Sequence, residues 1–207
     1  ITLATAAYTS LPGFTNTNAV VLGAGGDVYM QVNNATTTLK LLKYNAAFDG
    51  ASPVAEVNVS TQMFPIIGNG GQFELAFASN SVYLMGAAED GSYLTIRKFD
   101  ANLNDTGITG TFAPTRIQLG PGMMRRGPDH LLYIVTSGST PAGSRYAAAK
   151  FGRDRVMGSS ASFDAGGQGG SGIGLDVQEP GQAWVTGTSC SGGGGTQCSA
   201  RTVLLSL

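Results

Sequence analysis

Two carboxyl groups facing each other across a cleft can cleave a glycosidic bond, and this sequence holds few candidates for such a pair. It has 13 Asp and Glu residues, most of them in turn-like segments. Glu74 and Asp176 instead lie in predicted strands that would line a central channel. Arg125 and Arg126 lie on a corresponding strand. Because a buried or channel-lining charge needs a partner, we favour an ion-pair network round the axis, or ordered water, over catalysis.

No other catalytic set is apparent. His130 is the only histidine and follows Asp129 directly, which is typical of a turn, and no G-x-S-x-G motif occurs. The Gly-rich segments 23–28 and 166–172 match neither phosphate-binding fingerprint. Residues 100–105, "DANLND", begin like a calcium loop but favour an Asx turn. We therefore predict no cofactor and no metal site.

The two cysteines predict a disulfide. Cys190 and Cys198 are separated by the seven residues "SGGGGTQ", which let the thiols approach each other. Two free thiols are the alternative, since two cysteines without a nearby histidine are too few for a structural zinc site. A disulfide indicates an oxidising compartment, so we expect an extracellular or cell-surface location.

Three N-glycosylation sequons begin at Asn34, Asn58 and Asn104. All three fall in or near predicted turns. They leave glycosylation open for a eukaryotic source, although this Asn- and Ser/Thr-rich composition would produce sequons by chance.

Composition bounds the class of protein. The chain has 207 residues, of which 42% are hydrophobic and 12% charged, with 31 glycines and a net charge of −1. This length suits one all-β domain. The weak charge argues against a nucleic-acid partner, and no apolar run is long enough to predict a membrane span.

An internal repeat predicts the fold. Aligned aromatic residues recur at Tyr29, Tyr83, Tyr133 and Trp184, at spacings of 54, 50 and 51 residues. A Lys–aromatic pair follows each of the first three: Lys43-Tyr44, Lys98-Phe99 and Lys150-Phe151. A period near 50 residues is typical of stacked supersecondary units. We call Tyr29, Tyr83, Tyr133 and Trp184 the anchor aromatics.

Each unit contains four short strands, as at 73–78, 82–86, 93–99 and 107–113. This pattern predicts an all-β fold, a β-propeller of four four-stranded blades. The blades would cover about 19–72, 73–122, 123–172, and 173–207 together with 1–8. A β-sandwich is the alternative, but it does not explain the constant interval.

The ends of the chain suggest how the ring closes. The last unit stops after three strands, and the chain opens with an unassigned strand, "ITLATAAY" (1–8). We predict that this strand completes the fourth blade beside "RTVLLSL", which would hide an exposed sheet edge. A segment of a larger propeller is the alternative.

The repeats resemble known propellers. Residues 82–107, "VYLMGAAEDGSYLTIRKFDANLNDTG", are similar to the delta-sixty type of repeat of bacterial surface proteins. Residues 66–86, "IIGNGGQFELAFASNSVYLMG", are similar to the blade entry of tachylectin-type propeller lectins. The first resemblance implies a surface protein, and the second implies sugar binding.

From these patterns we expect a non-enzymatic, secreted or surface-exposed binding or structural module with a protein or glycan partner. A propeller lectin is the alternative, and a glycoside-cleaving propeller enzyme is the second alternative. Partners are expected on the face with long loops, including 33–38, 87–92 and 137–144, because function concentrates on irregular loops. Phe64, Glu89 and Asp90 are the candidate contacts there.

Overall fold

Four antiparallel sheets make up the described part of the chain. The computed structural model describes residues 16–33, 39–46, 52–59, 73–87, 93–112, 118–140, 143–152, 159–164, 173–191 and 197–207. Within every sheet the strands pair in sequence order, so each sheet is a meander. The described residues include no helix long and apolar enough to cross a membrane.

The described strands fall into the four sheets in sequence order. The first sheet contains β1 (Asn16–Leu22), β2 (Val28–Asn33), β3 (Leu39–Tyr44) and β4 (Ala55–Val59). The second contains β5 (Phe73–Ala78), β6 (Ser81–Ala87), β7 (Leu94–Asp100) and β8 (Asp105–Phe112). The third contains β9 (Gln118–Arg126), β10 (Leu132–Thr140), β11 (Gly143–Phe151) and β12 (Ser159–Asp164). The fourth contains β13 (Ile173–Glu179), β14 (Gln182–Ser191) and β15 (Gln197–Ser206).

The sheets stack face to face because the inner sheets are apolar on both sides. In β6, Val82 and Leu84 belong to the core shared with the first sheet. Their neighbours Tyr83 and Met85 point the other way and join the core shared with the third sheet. A third core joins the third and fourth sheets. Such continuous apolar strands are typical of sheets that are buried on both faces.

The first strands of the sheets lie side by side, in the order β1, β5, β9 and β13. Stacked four-stranded meanders with adjoining first strands are blades, so the predicted all-β propeller is confirmed. Among the described residues the fourth sheet has three strands. Residues 1–8 lie outside the described residues, so both ring closure and the single-domain organisation of residues 1–207 stay predictions.

Some predicted boundaries shift. The boundary expected at 122/123 falls inside β9 (Gln118–Arg126). The segment 137–144, expected as a long loop, is mostly ladder, in which Ser137 pairs with Tyr146 and Thr140 with Gly143. Backbone hydrogen bonds hold this Ser/Gly/Thr-rich hairpin together, so its composition was a poor guide to its conformation.

Candidate functional site

A cavity of about 390 Å³ opens between the first strands of three sheets. β1, β5 and β9 line it. Phe77 and Met124 contribute apolar surface, while Glu74, Arg125 and Arg126 contribute charge. Three of the four predicted channel-lining charges therefore meet in one place. A concave pocket with a few convergent polar groups is the usual form of a ligand site.

Glu74 is the group in this cavity with an altered acidity. It lies on β5, directly opposite Met85 in the ladder, and is half-buried. Burial raises the pKa of its carboxyl above the ordinary value, and the charge of Arg125 opposes that rise only in part. In the described part of the chain, no hydrogen bond or ion pair reaches the carboxylate. Burial is therefore the main influence on the acidity of this carboxyl.

The two arginines are anchored differently. Arg125 Nη1 donates a hydrogen bond of 2.9 Å to the carbonyl oxygen of Met124, and Arg126 contacts the His130 ring. His130 has a positive φ of 62° and its N–H donates to the Gly127 carbonyl oxygen, so it lies in a turn. Both arginines are exposed on the cavity side of β9. They make this end of the cavity positive.

Asp176 lies apart from the other three charges. It is exposed on β13, opposite Trp184, and is not among the described residues that line the cavity. Its carboxylate accepts hydrogen bonds from Val177 N–H at 3.0 Å and Gln178 Nε2 at 2.8 Å. The predicted four-residue network is therefore not formed as such: Glu74 has only a Coulombic interaction with Arg125, and Asp176 is bonded to its own strand.

The Lys–aromatic repeat has a structural role that sequence reasoning missed. The lysine lies directly opposite an anchor aromatic in the ladder, as Lys43 does to Tyr29 and Lys98 to Tyr83. The Lys43 ammonium lies 5.7 Å from the Tyr29 ring centre and 3.0 Å from Asp27 Oδ2. These are cation–π and ion-pair distances. The signal was already present in the sequence, because the lysines recur in phase with the tyrosines.

The turn at 100–105 is stabilised by its own side chains. The Asp100 carboxylate accepts hydrogen bonds from the backbone N–H groups of Asn102 and Asn104, each at 2.8 Å, and from Asn104 Nδ2. The bond from the Asn104 side chain is the main cause of the lowered Asp100 pKa. This is an Asx-type turn, as predicted. In the described residues there is no cluster of three or more His, Cys, Asp or Glu side chains.

Several predicted sites can only be placed in part. Asn58 is exposed within β4 rather than in a turn, and Asn104 is exposed in the turn before β8. Asn34, Phe64, Glu89 and Asp90 lie outside the described residues.

The cysteines lie in a ladder. Cys190 and Cys198 are directly opposite each other on β14 and β15, and Cys198 is disulfide-bonded. The bridge therefore lies near the end of a hairpin ladder. Directly opposite strand residues have the Cα separation that a disulfide needs.

The chain superposes on solved structures at low sequence identity. A protein of unknown function from Dyadobacter fermentans is 15% identical, with a TM-score of 0.62 over 94% of this chain and 54% of that one. An endo-1,4-β-xylanase from Bacteroides thetaiotaomicron is 10% identical, with a TM-score of 0.50 over 91% and 70%. A GH43 β-1,3-galactosidase is also 10% identical, with a TM-score of 0.50 over 90% and 43%. These values establish a shared fold alone.

The solved structures with this fold include longer chains, and sequence comparison adds no relative. This chain spans about half the length of the Dyadobacter protein. No protein-family model and no curated protein sequence matches it.

The expectation of a non-enzymatic module is corrected by these neighbours. That expectation rested on the lack of a recognisable catalytic set. Two of the solved chains that share this fold are a xylanase and a galactosidase, both of which cleave glycosidic bonds.

Proposed function

We propose that this propeller cleaves glycosidic bonds in the cavity between β1, β5 and β9, with Glu74 as the proton donor. The observation that carries the proposal is the environment of Glu74. Its carboxyl is half-buried in a cavity, has no hydrogen-bond partner among the described residues, and has a raised pKa. A general acid needs this combination, because it must remain protonated at a pH at which an ordinary carboxyl would be ionised.

In the proposed reaction the Glu74 carboxyl gives its proton to the oxygen of the leaving sugar. Cleavage then leaves Glu74 as a carboxylate, and the positive charge of Arg125 stabilises that product state. The apolar Phe77 and Met124 limit water around the carboxyl. Phe77 and Met124 therefore favour the protonated carboxyl of Glu74 before cleavage, and Arg125 favours its carboxylate afterwards.

A second carboxylate must act as base or nucleophile. Glu74 is the only carboxylate among the described residues that line the cavity, so the second would come from another part of the chain. The likeness in fold to a xylanase and a galactosidase supports a glycan substrate but does not select one.

The proposal is tested by assaying the protein against xylan, β-1,3-galactan and a panel of aryl glycosides. We expect release of reducing sugar, and a loss of about 10²- to 10⁴-fold in kcat for Glu74→Gln. Glu56→Gln is the matched control. Glu56 is an exposed carboxylate on β4, which is separated from β1 by two strands of the first sheet, and it pairs with Lys40 at 3.2 Å.

The other results are equally informative. Glycan binding without cleavage would replace the proposal with the lectin alternative, which the likeness of residues 66–86 to tachylectin-type lectins suggested. Full activity in Glu74→Gln would remove Glu74 from the mechanism. We also propose an extracellular or cell-surface location, on the basis of the disulfide at Cys198.

A further inference from the structure

The two guanidinium groups of the cavity have no carboxylate bonded to them. Arg125 and Arg126 are the last residues of β9, and both line the cavity together with Glu74. Neither forms an ion pair with a carboxylate of the described residues. Glu74 senses the charge of Arg125, but no hydrogen bond or ion pair joins the two side chains. The positive charge at this end of the cavity is therefore not neutralised by direct contact within the described part of the chain.

The carboxylates of the neighbouring elements already have other partners. Asp129, in the turn after β9, lies 3.0 Å from the Lys150 ammonium and accepts a 2.7 Å hydrogen bond from the Tyr133 hydroxyl. Asp176, on the adjoining first strand β13, accepts its hydrogen bonds from its own strand. Both carboxylates are thus held away from pairing with the two arginines.

The charge of the cavity lining is positive in either protonation state of Glu74. Among the described lining residues, the two arginines and Glu74 are the charged ones. With Glu74 ionised the lining carries 2 − 1 = +1, and with Glu74 protonated it carries +2. Burial favours the protonated form. A cleft lined by one sign of charge concentrates ligands of the opposite sign.

The arginine head groups are held in place and still have donors to offer. A guanidinium has five N–H donors in a planar fork. Arg125 Nη1 donates to the Met124 carbonyl oxygen at 2.9 Å, and Arg126 Nη2 contacts His130 Nδ1. Each contact uses one end of a fork, so the remaining N–H groups can bind a ligand. The fork matches the paired oxygens of a carboxylate or of a tetrahedral oxyanion such as sulfate.

The opposite wall of the cavity is apolar. Val20 on β1 lines the cavity and is 55% exposed. Phe77 on β5 also lines it, and its ring stacks on Tyr29 with 5.5 Å between the ring centres. The carbon atoms of a sugar ring can pack against such a wall, and the volume of about 390 Å³ is ordinary for a ligand pocket. The cavity therefore offers one wall for a sugar ring and one end for an anion.

We propose that the glycan bound in this cavity is acidic, and that Arg125 and Arg126 bind its carboxylate or sulfate group. The inference rests on the proposed function, because it names the substrate class of the same cavity. Glu74 on β5 acts on the glycosidic oxygen, while the arginines on β9 bind the charged group of the same ligand. A neutral glycan lacks the second contact and binds more weakly.

The charge preference is tested by calorimetric binding to Glu74→Gln, which prevents cleavage and keeps the charge of the protonated form. The probes are oligogalacturonate with its methyl ester, and a sulfated galactose oligosaccharide with its desulfated form. We expect at least one acidic probe to bind about 10- to 100-fold tighter than its neutral counterpart, and more weakly as salt rises. The pair that shows the preference identifies the anionic group as carboxylate or sulfate.

Arginine variants in the same background locate the contact. Arg125→Gln and Arg126→Gln should each weaken binding of the acidic probe about 10- to 100-fold and leave binding of the neutral probe unchanged. Arg201→Gln is the matched control, since Arg201 is an exposed arginine on β15 and is not among the described residues that line the cavity. Thermal unfolding of each variant, compared with that of Arg201→Gln, shows that the fold is retained.

Failure of this inference is distinguishable from failure of the proposed function. Cleavage of neutral glycans without any preference for acidic probes would overturn the inference and leave the proposed function standing. Arginine-dependent binding of an acidic probe that the wild type does not cleave would support the inference and remove the hydrolase. The inference would also be overturned if no acidic probe binds, or if both arginine variants bind it as tightly as Arg201→Gln does.

Discussion

Lys150 lies directly opposite Tyr133 in the β10–β11 ladder, with its ammonium 5.5 Å from the centre of the tyrosine ring. The same ammonium lies 3.0 Å from Asp129 Oδ2, and the Tyr133 hydroxyl donates a 2.7 Å hydrogen bond to that oxygen. The hydroxyl also accepts a bond from Gly181 N–H in the fourth sheet. One network therefore links the anchor aromatic, its lysine and the next blade.

The Asp129 network predicts a loss of stability in acid. Burial alone would raise the pKa of Asp129, but hydrogen bonds from Tyr133 and Lys150 outweigh it and lower the pKa. A lowered carboxyl pKa stabilises the fold above the unfolded-state value of about 4, and this contribution is lost as pH falls through the folded-state pKa. Asp129→Asn should cost about 1–3 kcal/mol at neutral pH and less in acid. Urea unfolding at a series of pH values measures this; Glu179→Gln, at an exposed carboxylate, is the control.

Gly187 is predicted to be intolerant of a side chain. A Cβ added there would lie 2.6 Å from the ring and hydroxyl of Tyr146, whose hydroxyl donates a 2.7 Å hydrogen bond to the Thr188 carbonyl oxygen. Gly187→Ala should therefore destabilise the protein by about 1–3 kcal/mol through overpacking. Tyr146→Phe, which removes only the hydroxyl, should cost about 1 kcal/mol. Equal stability of Gly187→Ala and wild type in urea would show that Tyr146 does not hold this position.

Gln31 is predicted to reduce stability. Its side chain is fully buried, and neither its Nε2 nor its Oε1 has a hydrogen-bond partner among the described residues. The equivalent position in the second sheet is Met85, which is also buried. Gln31→Met keeps a similar volume and should stabilise the protein by about 1–3 kcal/mol, because an unsatisfied buried amide is costly. A lower urea midpoint for Gln31→Met would mean that the amide makes a bond that this structure does not show.

Glu74 predicts the pH dependence of the proposed activity. As a proton donor Glu74 must be protonated, so kcat/KM should fall as pH rises through a pKa that burial holds above the ordinary 4.5. Because the charge of Arg125 lowers that pKa, Arg125→Gln should move the alkaline limb to higher pH. His130 is not among the described residues that line the cavity, so His130→Gln should leave the alkaline limb of the pH profile at the same pH. If Arg125→Gln leaves the alkaline limb of the kcat/KM profile at the same pH, the limb reports the titration of a group other than Glu74.

The bridge between Cys190 and Cys198 should contribute modestly to stability. By loop entropy, a closure this short stabilises the fold by on the order of 2–3 kcal/mol, less any strain. Reduction should therefore lower the urea midpoint without abolishing the fold, since the ladder continues from Cys190 back to Gln182. Two alkylatable thiols in the native protein, seen by intact-mass analysis, would contradict the bridge.

The fold was predictable because its signals repeat. Tyr29, Tyr83 and Tyr133 recur at nearly constant spacing, and each has its lysine opposite in the ladder. The strand 73–78 was predicted with the bounds that the structure shows. Grouping Glu74 with Arg125 and Arg126 was also predictable, because all three fall on first strands.

Other features depend on contacts between sheets that the pattern of residue types does not encode. Trp184 aligns with three buried tyrosines, yet it is 41% exposed. Gln31 is polar by type and yet fully buried. Asp176, like Glu74, lies on a first strand, but its carboxylate accepts hydrogen bonds from Val177 and Gln178 and it is not among the described residues that line the cavity.

The meander in every sheet has a consequence for synthesis. Since the ladders among the described strands join strands adjacent in sequence, each described meander can form as soon as its last strand has left the ribosome. The nascent chain would then expose one aromatic surface at a time, and the aliphatic side of the following sheet would cover it. Folding could advance from the amino-terminal sheet to the carboxyl-terminal one in the direction of translation, with little unprotected apolar surface at any stage.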